Sequence, residues 1–208
     1  MRKNKEIEST GCLDAAGQSH YNVCEIFVQF AIAFYIVRII MAIVNVIYAG
    51  VQPDITITTG GGYYEFDLPL GICRMGQEYL PAGTQIPDNK TVCIGFLLSA
   101  VVFDFVPMLF VLNLIRKILR TFDKSHSPFV PETVVYVKKA GKILILIGVF
   151  SELAMKSIVW FLVFHNLSPF ALPGDMQTPW IFAGVIVLLV SDIFRRGCEL
   201  QQFSDETL

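Results

Sequence analysis

Charge is the scarcest ingredient of this chain: 16% of its 208 residues are Asp, Glu, Lys or Arg, whereas 54% are hydrophobic and 17 are Phe. An ordinary soluble domain carries roughly 25% charged residues, so the deficit excludes one. The net charge is only −2. Nothing in that balance points to direct nucleic-acid binding or to an acidic substrate, and only the placement of charge along the chain is informative. Histidine is nearly missing, and His20, His126 and His165 stand too far apart to suggest a metal site. No phosphate-cradling glycine loop, nucleophile elbow or His-Glu-x-x-His pair occurs, and Gly60 to Gly62 reads as a turn. The sequence thus offers no catalytic, cofactor or metal residues, and the expectation is a protein that is not an enzyme. A secretory leader is not indicated either. The first apolar run begins at Ile26, too late after Arg2, Lys3 and Lys5, and it is too long.

What the chain has in place of charge is apolar length. About 20 helical residues cross a hydrocarbon core of about 30 Å. Runs of that kind occupy 26–50, 91–114, 142–164 and, more briefly, 179–194. Between them lie an N-terminal tail (1–25), a loop rich in proline and glycine (51–90), a basic loop (115–141), a short link (165–178) and a C-terminal tail (195–208). Twelve Lys and Arg fall on one side of this arrangement (Arg2, Lys3, Lys5, Arg116, Lys117, Arg120, Lys124, Lys138, Lys139, Lys142, Arg195 and Arg196) and two, Arg74 and Lys90, on the other. The positive side is cytoplasmic by the usual bias. The expected fold is an all-α membrane protein: a four-helix transmembrane bundle with both termini cytoplasmic. The loop after the first helix carries a β-hairpin, because Ile55-Thr56-Ile57-Thr58 alternates, three glycines follow, and Tyr63 to Leu68 is aromatic-rich. Pro107 should kink the second helix.

Against that background the charges inside the apolar runs stand out. Arg38, Asp104, Glu152 and Lys156 all come out near the midplane, and Asn45 continues the stripe of Ala31 and Arg38. On the third helix Gly141, Gly148, Glu152 and Val159 share a stripe whose small residues permit close helix approach. An ionised residue there costs roughly 2.5 to 3.5 kcal/mol on insertion scales, so it faces protein or water. Glu152 and Lys156 can pair along one helix face. The cluster has two readings: mutually neutralising glue, in which removing Arg38 strands an acid, or a polar site for an ion, proton or ligand. Of the five cysteines, Cys73 and Cys93 fall on the non-cytoplasmic side and form the one candidate disulfide, whereas Cys93 can equally sit unbridged at the top of the second helix.

The C-terminal run Phe194-Arg195-Arg196-Gly197-Cys198-Glu199-Leu200-Gln201-Gln202-Phe203-Ser204-Asp205-Glu206-Thr207-Leu208 resembles the ending of the bacterial domain of unknown function 2975 family, the YoaS-like membrane proteins. Ser127-Pro128-Phe129 with Val137-Lys138-Lys139-Ala140-Gly141 resembles a second patch of that family. The long proline-rich loop departs from many members, as do Gln202 and Ser204. The resemblance implies a multi-pass protein of the bacterial cytoplasmic (inner) membrane, often encoded beside a small helix-turn-helix regulator. Glu199, Leu200, Phe203, Asp205 and Glu206 then form an acidic and apolar strip on which such a basic partner could dock; the same tail can equally serve as a structural cap on the Pro128-Phe129 loop. The expected function is a membrane sensor or tether for that regulator, and the alternative is a small transporter or bacteriocin-immunity-type protein using the intramembrane charges. Candidate partners are the lipid bilayer, the regulator protein and a second copy of the chain; no cofactor is expected.

Overall fold

The computed structural model describes residues 2–81, 84, 86, 88–125, 130–165 and 176–206; the side chains of 2–21, 123–125 and 205 are outside that description. Helix α1 (Arg2–Val51) leads into strands β1 (Ile57–Gly60), β2 (Tyr63–Phe66) and β3 (Cys73–Gly76) and a single 3-10 turn, Gln77–Tyr79. Helix α2 (Asn89–Ala100) passes through a π-helical turn, Val101–Phe105, into α3 (Val106–Ser125). The chain closes with α4 (Pro131–Phe164) and α5 (Thr178–Glu206). The protein is therefore mostly helical with one small antiparallel sheet. Among the described residues, three stretches are long and apolar enough to cross a membrane: Asn22–Val51, Asn89–Phe122 and Pro131–Phe164.

Large apolar side chains cover the outside as well as the core, among them Phe30, Phe110, Phe150, Phe182 and Leu189, all more than half exposed. A surface of that kind suits lipid. α1 is the least buried of the three long stretches and α4 the most. At one end of the bundle Arg120 approaches Glu25 at 3.9 Å, and Lys117 lies 5.8 Å from the ring centroid of Tyr136. Much of the basic segment 115–141 is helical, as the ends of α3 and α4, rather than loop. Likewise 2–25 is helical and continuous with the rest of α1.

The sheet sits at the opposite end. Its first two strands form the expected hairpin, with Gly60 opposite Tyr63 and a two-residue turn at Gly61 and Gly62. Both have positive φ, 61° and 85°, which a tight right-twisting hairpin requires and glycine supplies without strain. The third strand went unseen in the sequence because Cys-Arg-Met-Gly has no alternation to read. It pairs Glu65 with Arg74, whose side chains form a 2.8 Å ion pair on the exposed face. The inner face, Tyr64, Phe66 and Met75, packs with Tyr79, Val92, Cys93, Leu97, Met155, Val159 and Val163. Because a few isolated strands are marginal, this burial against α2 and α4 is what holds the sheet. Asp88 caps α2: its carboxylate accepts from the Thr91 N–H at 3.1 Å and from the Thr91 hydroxyl at 2.6 Å. Those bonds favour the ionised carboxylate and hold its pKa below the usual carboxylate range.

α5 runs antiparallel to α4 in a seven-residue register. Gln177 N–H donates to Gly148 O at 2.9 Å, and the Ser191 hydroxyl donates to Val134 O at 3.3 Å. Midway between them a Cβ on Gly184 would lie 2.8 Å from Gly141 O, and one on Gly148 would lie 2.9 Å from Ile181 N. Only glycine lets the two backbones approach this closely. The stripe of small residues on α4 thus found its partner in α5, with Gly184 as the third glycine. α5 begins beside Gly148, so the rest of α4 up to Phe164, about 24 Å at 1.5 Å per residue, extends past it. That second half packs instead on α2, where Gly95 makes room for Leu162, and on the sheet.

Candidate functional site

Arg38, Asn45, Asp104, Glu152 and Lys156 form two neighbouring groups on the apolar helices. The first lines a cavity of about 330 Å³ between α1, the π turn and the segment Leu70 to Arg74. Arg38, Asn45 and Asp104 all reach it, with Met155 of α4 in its wall. Its geometry starts with Pro107, which has no N–H to give to the helix ladder. The chain absorbs the defect one turn earlier: the Val106 N–H donates to Val101 O, five residues back. A π turn of this sort widens the helix and re-aims its side chains. Asp104 and Phe105 lie within it.

Arg38 does not pair with Asp104. Its guanidinium carbon stands 4.3 Å from the ring centroid of Phe105 and 5.9 Å from that of Phe34. Such a cation–π contact offers the charge a favourable face without neutralising it. Among the described residues no carboxylate lies within 4 Å of Arg38, and Asp104 has neither a hydrogen bond nor an ion pair. Arg38 is exposed at the cavity and Asp104 is half-buried. Asn45 is almost fully buried, and its carbonyl oxygen accepts from the Leu70 N–H at 3.4 Å, tying the roof of the cavity to α1. Gly71, with φ at 110°, turns the roof segment over the opening in a conformation few other residues adopt.

The second group lies behind Met155. Lys156 is fully buried and its Nζ is 3.0 Å from Glu152 Oε1. The ammonium also stands 5.5 Å from the ring centroid of Tyr79, which packs edge-on against Phe96 at 5.6 Å. Burial, then the negative charges of Glu152, Glu78 and Asp104, push the Tyr79 phenol up, so it is protonated and neutral at any ordinary pH. Phe96 and Met155 are shared: each lines the cavity and contacts the second group's surroundings.

The five predicted residues thus divide three and two, instead of forming one four-charge cluster. Arg38, Asn45 and Asp104 share the cavity; Glu152 and Lys156 neutralise each other beside it. Sequence reading missed Tyr79, Phe105 and Met155. The run Asp104-Phe105-Val106-Pro107 held the available signal, since a proline three residues after an intramembrane acid marks where the helix must be irregular. Cys73 and Cys93 are free thiols here, not a disulfide. Cys93 is wholly buried within the core under the sheet, and burial pushes the Cys73 thiol up to about 11, so it is not a thiolate at neutral pH.

At the far end, α5 continues past Arg195 and Arg196 to Glu206. Glu199, Leu200, Phe203 and Glu206 are exposed, Leu200 at 70% and Phe203 at 67%. Cys198 is buried, and Asp192 approaches Arg195 at 3.9 Å. The side chain of Asp205 and the whole of Ser127, Pro128, Phe129, Thr207 and Leu208 lie outside the described residues. No protein family, no curated protein and no solved structure matches the chain.

Proposed function

We propose that the protein is a multi-pass sensor or tether of the bacterial cytoplasmic membrane, with both termini cytoplasmic and α5 as a fourth membrane-embedded helix. Its partner is a small basic helix-turn-helix regulator, held at the cytoplasmic face. The observation that carries this reading is the end of α5, where the helix runs on past Arg195-Arg196 with Glu199 and Glu206 beside exposed Leu200 and Phe203. An acidic helix with apolar anchors suits a partner that must be positive to bind DNA, because complementary charge steers the encounter and apolar contact holds it. The likeness of this same stretch to the domain of unknown function 2975 family supports the assignment. The cavity under the sheet serves as the input, and rearrangement of α1 against the π turn would carry it towards the other end. Affinity capture from cells with the full chain and with a chain lacking Gly197 to Leu208 tests the proposal. The regulator should co-purify with the first and not the second; equal recovery refutes it.

A second reading has its own support. The cavity holding Arg38, Asn45 and Asp104 would equally serve a small transporter or an immunity-type protein. Flux in proteoliposomes, or protection of cells from a peptide, would then collapse in Asp104→Asn.

A further inference from the structure

The cavity carries an inference about its occupant that does not depend on the tail. Three charged residues line it: Arg74, whose charge is met by Glu65 at 2.8 Å, and one further base and one acid, Arg38 and Asp104, that lie on touching elements yet stay beyond 4 Å of each other. Two opposite charges in an apolar setting gain most by closing on one another. Here the guanidinium rests on the Phe105 ring instead, 4.3 Å from its centroid, while the carboxylate of Asp104 accepts no hydrogen bond from any described residue. The π turn that places Asp104 there interrupts an otherwise continuous helix. Asn45 spends its carbonyl oxygen on Leu70 and adds an amide N–H₂ with no described acceptor. Much of the remaining wall is apolar, from Met41, Ala100 and Met155, with the Cys73 thiol beside them.

Each simple ligand class fails one of these groups. A metal ion lacks donors, since among the described residues no set of three His, Cys, Asp or Glu side chains comes together. A lone cation meets Arg38 and a lone anion meets Asp104. A neutral molecule without poles would leave both charges dehydrated and unpaired, which is costly. A molecule with an ammonium and an anionic group a few bonds apart satisfies both ends, and an apolar body fills the rest. The volume, about 330 Å³, is at the lower end of small-molecule sites.

We propose that this cavity binds a primary-amine zwitterion, its carboxylate or phosphate on Arg38 and the Asn45 amide and its ammonium on Asp104. Such a group is presented by a free apolar amino acid and by the headgroup of a phosphoethanolamine lipid, and the test separates the two. Full-length protein is placed in nanodiscs of phosphatidylethanolamine or of phosphatidylcholine, whose quaternary ammonium cannot donate a hydrogen bond. Retained lipid is read by native mass spectrometry; leucine and norleucine are titrated in the phosphatidylcholine discs and followed by calorimetry. Selective retention of the ethanolamine lipid assigns the headgroup. Saturable binding of the free amino acids assigns the soluble source. In either case Asp104→Asn and Arg38→Gln should each weaken binding at least about tenfold, the loss expected for one charge-assisted hydrogen bond. Ala100→Phe, which keeps both charges and fills the space, should abolish binding in a protein that still purifies as a single species. No preference for either zwitterion, or equal binding by wild type and Ala100→Phe, overturns the proposal.

Discussion

The two halves of α4 solve different problems. From Pro131 to Gly148 the helix lies against α5 and the apolar face of α3, with glycines at the closest approaches to α5 and only the Ser191 to Val134 and Gln177 to Gly148 hydrogen bonds across that seam. From Ser151 to Phe164 it lies against α2 and the sheet, and there it carries Glu152 and Lys156 and borders the cavity. The first half is a dry seam whose fit depends on missing side chains. The second trades close packing for buried charge. A helix that must hold ionised groups at depth needs a partner surface that does not shift, and the glycine seam supplies a fixed base for it.

Breaking the polar half should cost most. Lys156→Met leaves Glu152 without its ammonium, and removal of one partner of a buried pair costs about 3 to 5 kcal/mol. The double variant Glu152→Leu, Lys156→Met should recover most of that loss in detergent unfolding; a double variant as unstable as the single one would mean that the pair is not the unit. The seam comes next. Gly148→Ala or Gly184→Ala forces a methyl into contact with backbone, so a loss of about 1 to 3 kcal/mol is expected in the same assay, whereas alanine at the solvent-facing Gly60 needs no neighbour to move.

Smaller effects sharpen the contrast at the sheet end. Asp88→Ala should cost about 1 kcal/mol through loss of the α2 cap. Because the folded carboxylate is more acidic than the unfolded one, this stabilisation is complete above the ordinary carboxylate pKa and disappears as pH falls through the lowered folded value. Wild type and Asp88→Ala should therefore converge in stability in acid. Smallest of all, Arg38→Leu should change unfolding by about 0.5 kcal/mol, the scale of an exposed cation–π contact such as the one on Phe105. That differs from the sequence-based expectation of a stranded acid, since Arg38 and Asp104 are not paired to begin with.

The same contrast decides what could be read from the chain. Apolar runs, the hairpin with its glycine turn, the Glu152–Lys156 pair and the Gly141–Gly148 stripe follow from local periodicity, so they were legible. Gly184 was not, because a single glycine in α5 acquires meaning only from the register with α4. Depth counting put Arg38 and Asp104 at one level with Glu152 and Lys156, and the structure brings Arg38 and Asp104 to one cavity whose wall includes Met155, the neighbour of Lys156. Depth counting could not tell a shared depth from a shared contact. The angular offset introduced at Pro107 and the position of Tyr79, delivered by a loop turn 25 residues after Asp54, are products of tertiary packing. β3 lacked alternation and depends on its neighbour, which is how a marginal edge strand usually arises.

α4 divides a polar, enterable cavity from a closed seam. Thiol labelling tests it most directly. In a chain whose native cysteines are replaced by alanine, Ala100→Cys lines the cavity and Ala140→Cys lies buried on α4 in the half that carries the seam. A water-soluble, membrane-impermeant thiol reagent applied to the sheet side of oriented vesicles should modify Ala100→Cys and leave Ala140→Cys untouched. Equal labelling of the two positions, or protection of both, would contradict the account.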